Sequence, residues 1–89
     1  SPAVTAVLVE GYMRQLREQI NKVLTYPCIQ ATESNCEYKA AELEVEISVL
    51  QSGELQYVKV IRSSGLEVYD SYAVNAVRLA APYPPVPPF

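Results

Sequence analysis

The chain has 89 residues, of which 49% are hydrophobic, and its formal net charge is −3. This length and composition are typical of one small folded domain rather than of a disordered tail. The seven Lys and Arg residues are scattered, so they form no cationic stripe that would indicate a nucleic-acid partner. No apolar run reaches the roughly 20 residues of a membrane helix, and no secretory signal pattern is present.

Two cysteines, Cys28 and Cys36, lie in the polar stretch YPCIQATESNCEY, and the chain contains no histidine. A structural zinc site would need two more ligands, and the spacing is too wide for a C-x-x-C redox pair. The pair is therefore either two free thiols or one structural disulfide. The spacing and loop context favour the disulfide, which would indicate an oxidising compartment.

The first predicted element is a long amphipathic helix. Ser1 and Pro2 form a helix-start signal, because serine can cap the first amides and proline has the backbone angle of a first turn. Apolar residues then recur every fourth position, widened by two valines: Leu8, Tyr12, Leu16, Ile20 and Leu24, with Val4 and Val23. This stripe is expected to pack on a sheet, and the helix to end near Leu24, because Pro27 disfavours helical geometry at the residue before it.

The next predicted element is a β-hairpin. From Glu42 to Val49 apolar and polar residues alternate, and LQYVKVIR follows after the glycine-containing turn QSGE. If Leu50 lies opposite Leu55, the valines and isoleucine of the two strands share one face. The expected pairs are Ile47 with Val58, Val45 with Val60, Glu46 with Lys59, and Ser48 with Tyr57.

A second helix follows a turn at Ser63, Ser64 and Gly65, and Asp70 is predicted to be its N-cap. Small side chains form its packing face: Ala73, Ala76, Val77 and Ala80. Pro82 should end this helix, and PYPPVPPF should be extended because proline restricts both itself and its predecessor. The predicted fold is therefore α+β, a small two-layer domain in the order helix, strand, strand, helix, extended tail.

The residues favour a non-enzyme without metal or cofactor. General acid–base catalysis needs a group with a pKa near neutrality, whereas the chain has no histidine and only one aspartate, Asp70. Glu42, Glu44 and Glu46 share one strand face, but that face is predicted to be solvated and to lie opposite Lys59 and Tyr57. We therefore expect binding rather than catalysis.

The motifs GELQYVKVIRSSG and AVNAVRLAAPYPP, with Asp70 five residues after Gly65 and a Tyr-Pro pair upstream, resemble the C-terminal domain of TonB. TolA has a related domain. The resemblance covers about Leu24 to Pro88. It implies a periplasmic domain of a protein tethered to the inner membrane, where a motor of the ExbB and ExbD kind uses the proton gradient.

By this resemblance the domain binds extended segments of outer-membrane receptors, which add as a strand to its sheet. Tyr26 and Pro27 match the family's tyrosine-proline motif near the receptor contact. The residues matching its structural turn and helix cap are Ser63, Ser64, Gly65 and Asp70. Two alternatives remain open: a TolA-type domain acting through partners such as Pal and TolB, or a structural TonB-like module of another envelope machine.

The chain departs from the TonB pattern in two places. Cys28 and Cys36 stand where TonB usually has a basic stretch, and the family's third strand usually lies after the proline run, where this sequence stops at Phe89. Because it also begins at Ser1, residues 1–89 are expected to be one domain cut from a longer envelope protein. An open-edged sheet of two strands is further expected to dimerise by strand pairing or swapping.

Overall fold

The computed structural model describes residues 2–25, 30–31, 36–37 and 40–88. The elements are α1 (Pro2–Val23), β1 (Gln30–Ala31), β2 (Cys36–Glu37), β3 (Glu44–Val49), β4 (Leu55–Arg62) and α2 (Glu67–Ala80). The two helices pack on one face of the β3–β4 hairpin, so the predicted α+β class and element order are confirmed. The short antiparallel ribbon of β1 and β2 was not foreseen from the sequence.

The β3–β4 hairpin has nearly the predicted register. The four expected pairs of facing residues are all present: Val45 with Val60, Glu46 with Lys59, Ile47 with Val58, and Ser48 with Tyr57. The expected pair of Leu50 with Leu55 is wrong, because an irregularity after Ser48 places Val49 opposite Leu55. The turn closes through hydrogen bonds from the Leu50 amide to the Glu54 carbonyl and from the Gly53 amide to the Leu50 carbonyl.

The hydrophobic core joins both helices, the hairpin and the tail. Its buried members are Tyr12, Leu16, Val77, Ala80 and Tyr83. Half-buried residues of the hairpin, including Ile47 and Val58, pack against them. The prediction that α1 packs on the sheet therefore holds only in part, because α1 also lies against α2 and the tail.

The beginning of α1 extends beyond this core. A helix of 22 residues is about 33 Å long, and the molecule measures 56 × 24 × 23 Å. Val4, Val7 and Leu8 are exposed, although Val4 and Leu8 belong to the predicted apolar stripe. The stripe identifies the helix correctly, but the two small layers are too short to cover its whole length.

The second helix ends where the proline run begins. Of its predicted packing face, Ala76, Val77 and Ala80 are buried and Ala73 is half-buried. Ala81 has extended backbone geometry, and the Ala81–Pro82 peptide bond is cis. No helix in the described part of the chain is both long and apolar enough to cross a membrane.

Candidate functional site

Both edges of the β3–β4 hairpin are unpaired among the described strands. β3 pairs with β4 along one side, and no other described strand pairs with its second side. Such an edge presents a row of backbone N–H and C=O groups that another extended chain can bond. We refer to the unpaired side of residues 44–49 as the β3 edge.

The proline tail approaches the hairpin in the direction of the β3 edge. The Tyr83 amide donates to the Gly53 carbonyl at 2.9 Å, and the Val86 amide donates to the Gln51 carbonyl at 2.9 Å. Along the tail the residue numbers rise from 83 to 86, while those of the bonded hairpin residues fall from 53 to 51. The tail therefore runs antiparallel to the residues that follow β3. Gln51 lies two residues beyond the end of β3, and the tail therefore starts a ladder that points to the β3 edge.

Hydrogen bonds to both helices hold the tail in place. The buried Tyr83 hydroxyl donates to the Val77 carbonyl at 2.6 Å, and the Tyr12 hydroxyl donates to the Pro84 carbonyl at 2.8 Å. Burial raises the pKa of both hydroxyls, with a smaller contribution from Tyr12 at Tyr83, so both remain neutral donors. Prolines have no N–H to donate, so the amide donors of the tail are Tyr83 and Val86, and Pro84 takes part through its carbonyl oxygen.

Gln19 adds a second contact between α1 and the tail. Its Nε2 donates to the Ala80 carbonyl at 2.5 Å and to the Pro82 carbonyl at 2.8 Å. The sequence pattern did not reveal this role, because Gln19 lies more than 60 residues from its acceptors. The only sequence signal for this role is that Gln19 is a polar residue beside the apolar stripe of the helix.

The solvent face of the hairpin is polar and its charges are paired across the two strands. Lys59 Nζ lies 3.2 Å from Glu46 Oε2, and Arg62 Nη2 lies 3.1 Å from Glu44 Oε1. The Tyr57 hydroxyl donates to Glu46 at 2.9 Å. The Tyr57 hydrogen bond, followed by the Lys59 contact, lowers the pKa of Glu46, and the same hydrogen bond raises the pKa of Tyr57.

The predicted turn residues form a hydrogen-bonded cluster at the start of α2. The Asp70 carboxylate accepts bonds from the hydroxyls of Ser63 and Ser64 and from the Ser64 amide at 3.0 Å. These bonds, the Ser63 hydroxyl first, lower the pKa of Asp70. Gly65 has a φ of +85°, in the left-handed region that glycine adopts without strain.

The prediction that Asp70 is the N-cap is wrong. α2 begins at Glu67, its N-cap position is Leu66, and that residue makes no capping bond with its side chain. Asp70 lies inside the first turn, so its carboxylate reaches back to the preceding loop instead of to the helix amides. An acidic group there still interacts favourably with the helix dipole.

The other predicted site residues are not placed. Tyr26, Pro27 and Cys28 lie outside the described residues, and only the backbone of Cys36 is described, in β2. The disulfide and the tyrosine-proline contact therefore stay predictions. A groove of about 870 Å³ is found where α1 ends, and its described lining comprises Leu24, Thr25, residues 40–43, Arg62, Tyr69, Tyr72 and Ala73.

A small α+β domain with an unpaired sheet edge, a docked tail and a polar solvent face has the architecture of a protein-interaction domain. The chain belongs to the TonB C-terminal family, because the family model described as "TonB C terminal" matches residues 9–88. No curated protein and no solved structure matches the chain significantly. The family consists of non-catalytic interaction domains that are periplasmic and contribute to energy transduction in the cell envelope.

Proposed function

We propose that this domain binds extended segments of outer-membrane receptors by β-strand addition, as the C-terminal part of a TonB-like energy transducer. The observation that supports this proposal is the small antiparallel sheet, because each of its two strands has one side that no described strand pairs. In strand addition the backbone bonds give affinity and the alternating side chains give specificity. Such binding requires no catalytic group.

Contacts on both faces order the hairpin before any partner arrives. Ile47 packs against the core from the inner face, and the cross-strand bonds of Glu46 fix the outer face. An edge that is already ordered loses little conformational entropy on binding. The partner's extended segment would therefore bear most of the ordering cost.

The remaining parts of the proposal come from the family. Tyr26 and Pro27 would contact the receptor beside the sheet, and a region outside these 89 residues would tether the protein to the inner membrane and reach ExbB- and ExbD-like motor proteins. Cys28 and Cys36 would form a structural disulfide in the oxidising periplasm. An intact-mass measurement before and after reduction and alkylation tests the disulfide, and two alkylated thiols in unreduced protein would contradict it.

The test of strand addition is an NMR titration of the isotopically labelled chain. The ligands are peptides from the periplasmic N-termini of outer-membrane receptors of the same organism, with a scrambled peptide as control. We expect saturable amide shifts centred on one strand of the hairpin, residues 44–49 or 55–62, with smaller shifts on the other strand.

N-methylation of alternate peptide residues makes this test specific for backbone pairing. In an added strand every second amide faces the neighbouring strand. A peptide methylated at those positions should lose binding, whereas the peptide methylated at the intervening positions should keep it. Equal loss in both peptides would contradict strand addition, and absence of receptor binding in a folded chain would favour the TolA-type or structural alternative.

A further inference from the structure

A shallow groove lies between β4 and one flank of α2, and no residue of β3 lines it. Its volume is about 300 Å³, and its walls are Val60 on one side and the flank of α2 from Glu67 to Arg78 on the other. The docked tail runs toward the β3 edge and not toward this groove. We refer to the unpaired side of residues 55–62 as the β4 edge.

The groove carries opposite charges at its two ends. Glu67 and Asp70 lie in the first turn of α2, and Arg78 lies in its last turn, about 16 Å farther along the helix axis. Glu67 and Arg78 are exposed, and neither forms an ion pair with another described residue. Val74 lies between the charged ends and is half-buried. The flank of α2 is therefore negative at its beginning, apolar near its middle and positive at its end.

This arrangement is complementary to itself after a two-fold rotation. α2 runs back along β4, since Val77, near its end, shares the core with Leu55, at the start of β4. A two-fold axis at the β4 edge would pair the two copies of β4 antiparallel and place the two α2 helices side by side in opposite directions. Glu67 of each copy would then lie beside Arg78 of the other, and Val74 would face its own counterpart.

The strand itself suits such pairing. β4 has eight residues and no proline, so each of its amides can donate a hydrogen bond. Paired residues of antiparallel strands share a face, and like charges directly opposite each other repel. The favoured register therefore places Lys59 opposite Tyr57 of the second copy rather than opposite Lys59. Ile61 of this strand is 57% exposed, so pairing would also remove apolar surface from water.

We propose that the β4 edge and the adjoining flank of α2 form an interface through which two copies of this chain join their hairpins into one four-stranded sheet. The proposal does not rest on receptor binding, because the β3 edge lies outside the interface. One strand and one helix flank make a small interface, so the dimer should dissociate on dilution.

The first test is sedimentation velocity over a dilution series, combined with isotope-filtered NMR on a mixture of labelled and unlabelled chains. We expect a reversible monomer–dimer equilibrium, with contacts between copies that link β4 to β4. A chain that stays monomeric at its highest soluble concentration would overturn the proposal. Contacts between copies at α1 or at the β3 edge would overturn it as well, and so would an exchange of hairpins between the two cores.

Charge-reversal variants test the self-complementary ends. Glu67→Arg and Arg78→Glu should each raise the dimer dissociation constant about ten-fold, because each change turns two attractive pairs into repulsive ones. The double variant should return to within about two-fold of the parent chain. The matched controls are Glu18→Arg and Arg14→Glu, which make the same charge changes at exposed positions of α1. Equal weakening by these controls, or no recovery in the double variant, would refute the proposed pairing.

Milder variants guard against loss of helix stability. Reversed charges at the ends of α2 oppose the helix dipole, whereas Glu67→Gln and Arg78→Gln only remove the charges. Each of these should raise the dissociation constant about three-fold. Circular dichroism checks that α2 remains folded, and unchanged dimerisation in both folded variants would contradict a role for these ends.

Failure of this proposal can be distinguished from failure of strand addition. The receptor titration is run at a dilution at which the chain is monomeric. If receptor peptides bind but the chain never dimerises, only the proposed interface is wrong. If the chain dimerises through β4 but receptor peptides do not bind, strand addition is wrong and the interface stands.

Discussion

The two ends of α2 are anchored in opposite ways. At its beginning, exposed polar groups meet: the Asp70 carboxylate collects bonds from Ser63 and Ser64. At its end, packing dominates, because Val77, Ala80 and Tyr83 are buried in the core and the tail bonds to the hairpin turn. A glycine with positive φ lies near each end of α2. Gly65 precedes the helix, and Gly53 lies in the hairpin turn to which the tail bonds.

The difference indicates which end determines the fold. The polar cluster is local in sequence, so it can form with little help from the rest of the chain. The tail end joins residues from α1, the hairpin turn and α2, so it forms only when all three are in place. We therefore expect substitutions where α2 meets the tail to lower the free energy of unfolding more than substitutions at the beginning of α2. We also expect the order of the β3 edge to depend on the contacts where α2 meets the tail.

The largest effect is expected for Gly53→Ala. Its Cβ would lie 2.0 Å from the Tyr83 carbonyl oxygen, and its φ of +98° strains any other L-residue. The free energy of unfolding, measured by urea denaturation, should fall by about 3 kcal/mol. The control is Gly11→Ala, whose Cβ meets no atom within 4 Å and which should raise stability by about 0.5 to 1 kcal/mol. A near-neutral Gly53→Ala variant would refute the tight docking of the tail.

The next effect is expected for Tyr83→Phe. Loss of the hydroxyl leaves the buried Val77 carbonyl without that donor, which should lower the free energy of unfolding by about 1 to 2 kcal/mol. Tyr57→Phe is the matched control, because its hydroxyl bonds to Glu46 on the exposed face. Thermal denaturation of the two variants should rank Tyr83→Phe clearly lower, and equal melting temperatures would contradict the comparison.

Gly65→Ala should cost less than Gly53→Ala. No atom lies within 4 Å of its Cβ position, so only the φ of +85° opposes the substitution. The free energy of unfolding should fall by about 1 kcal/mol. Gly65→Asn should recover part of this loss, because asparagine tolerates the left-handed region better. If Gly65→Ala and Gly53→Ala lower the free energy of unfolding in urea equally, the contact of the Gly53 position with the tail contributes nothing to stability.

The smallest effect concerns Asp70 and depends on pH. Its folded pKa is lowered from the ordinary 3.8, so its stabilising contribution is complete above that value and is lost as the pH falls through the folded pKa. The melting temperature of Asp70→Asn should therefore approach that of the parent chain as the pH falls below about 3.8.

Glu46 provides an independent reference for this pH effect, because its pKa is lowered as well. Glu46→Gln should remove a separate part of the acid dependence and leave the Asp70 part intact. A difference between Asp70→Asn and the parent chain that persists unchanged into acid would show that the carboxylate charge is not responsible.

Much of the fold could be predicted because its signals are local. Alternation from Glu42 onward gave the hairpin and most of its register, since a slip of one residue would bury the glutamates. The apolar stripe of α1 and the position of Pro82 after α2 predicted the helices, because periodicity and proline geometry act within a few residues.

Only the tertiary structure decided the contacts that join distant residues. The docking of the tail on Tyr12, Gln19 and Gly53 depends on groups 30 to 72 residues away, for which sequence periodicity has no signal. The structure likewise moved the start of α2 to Glu67 and left Val4 and Leu8 exposed. The sequence by itself thus determined the two helices, the β3–β4 hairpin and which of their faces are apolar, because those properties are set by neighbours along the chain. The tertiary structure decided how much of each face is covered and where the tail runs, because those depend on the summed packing of all the elements.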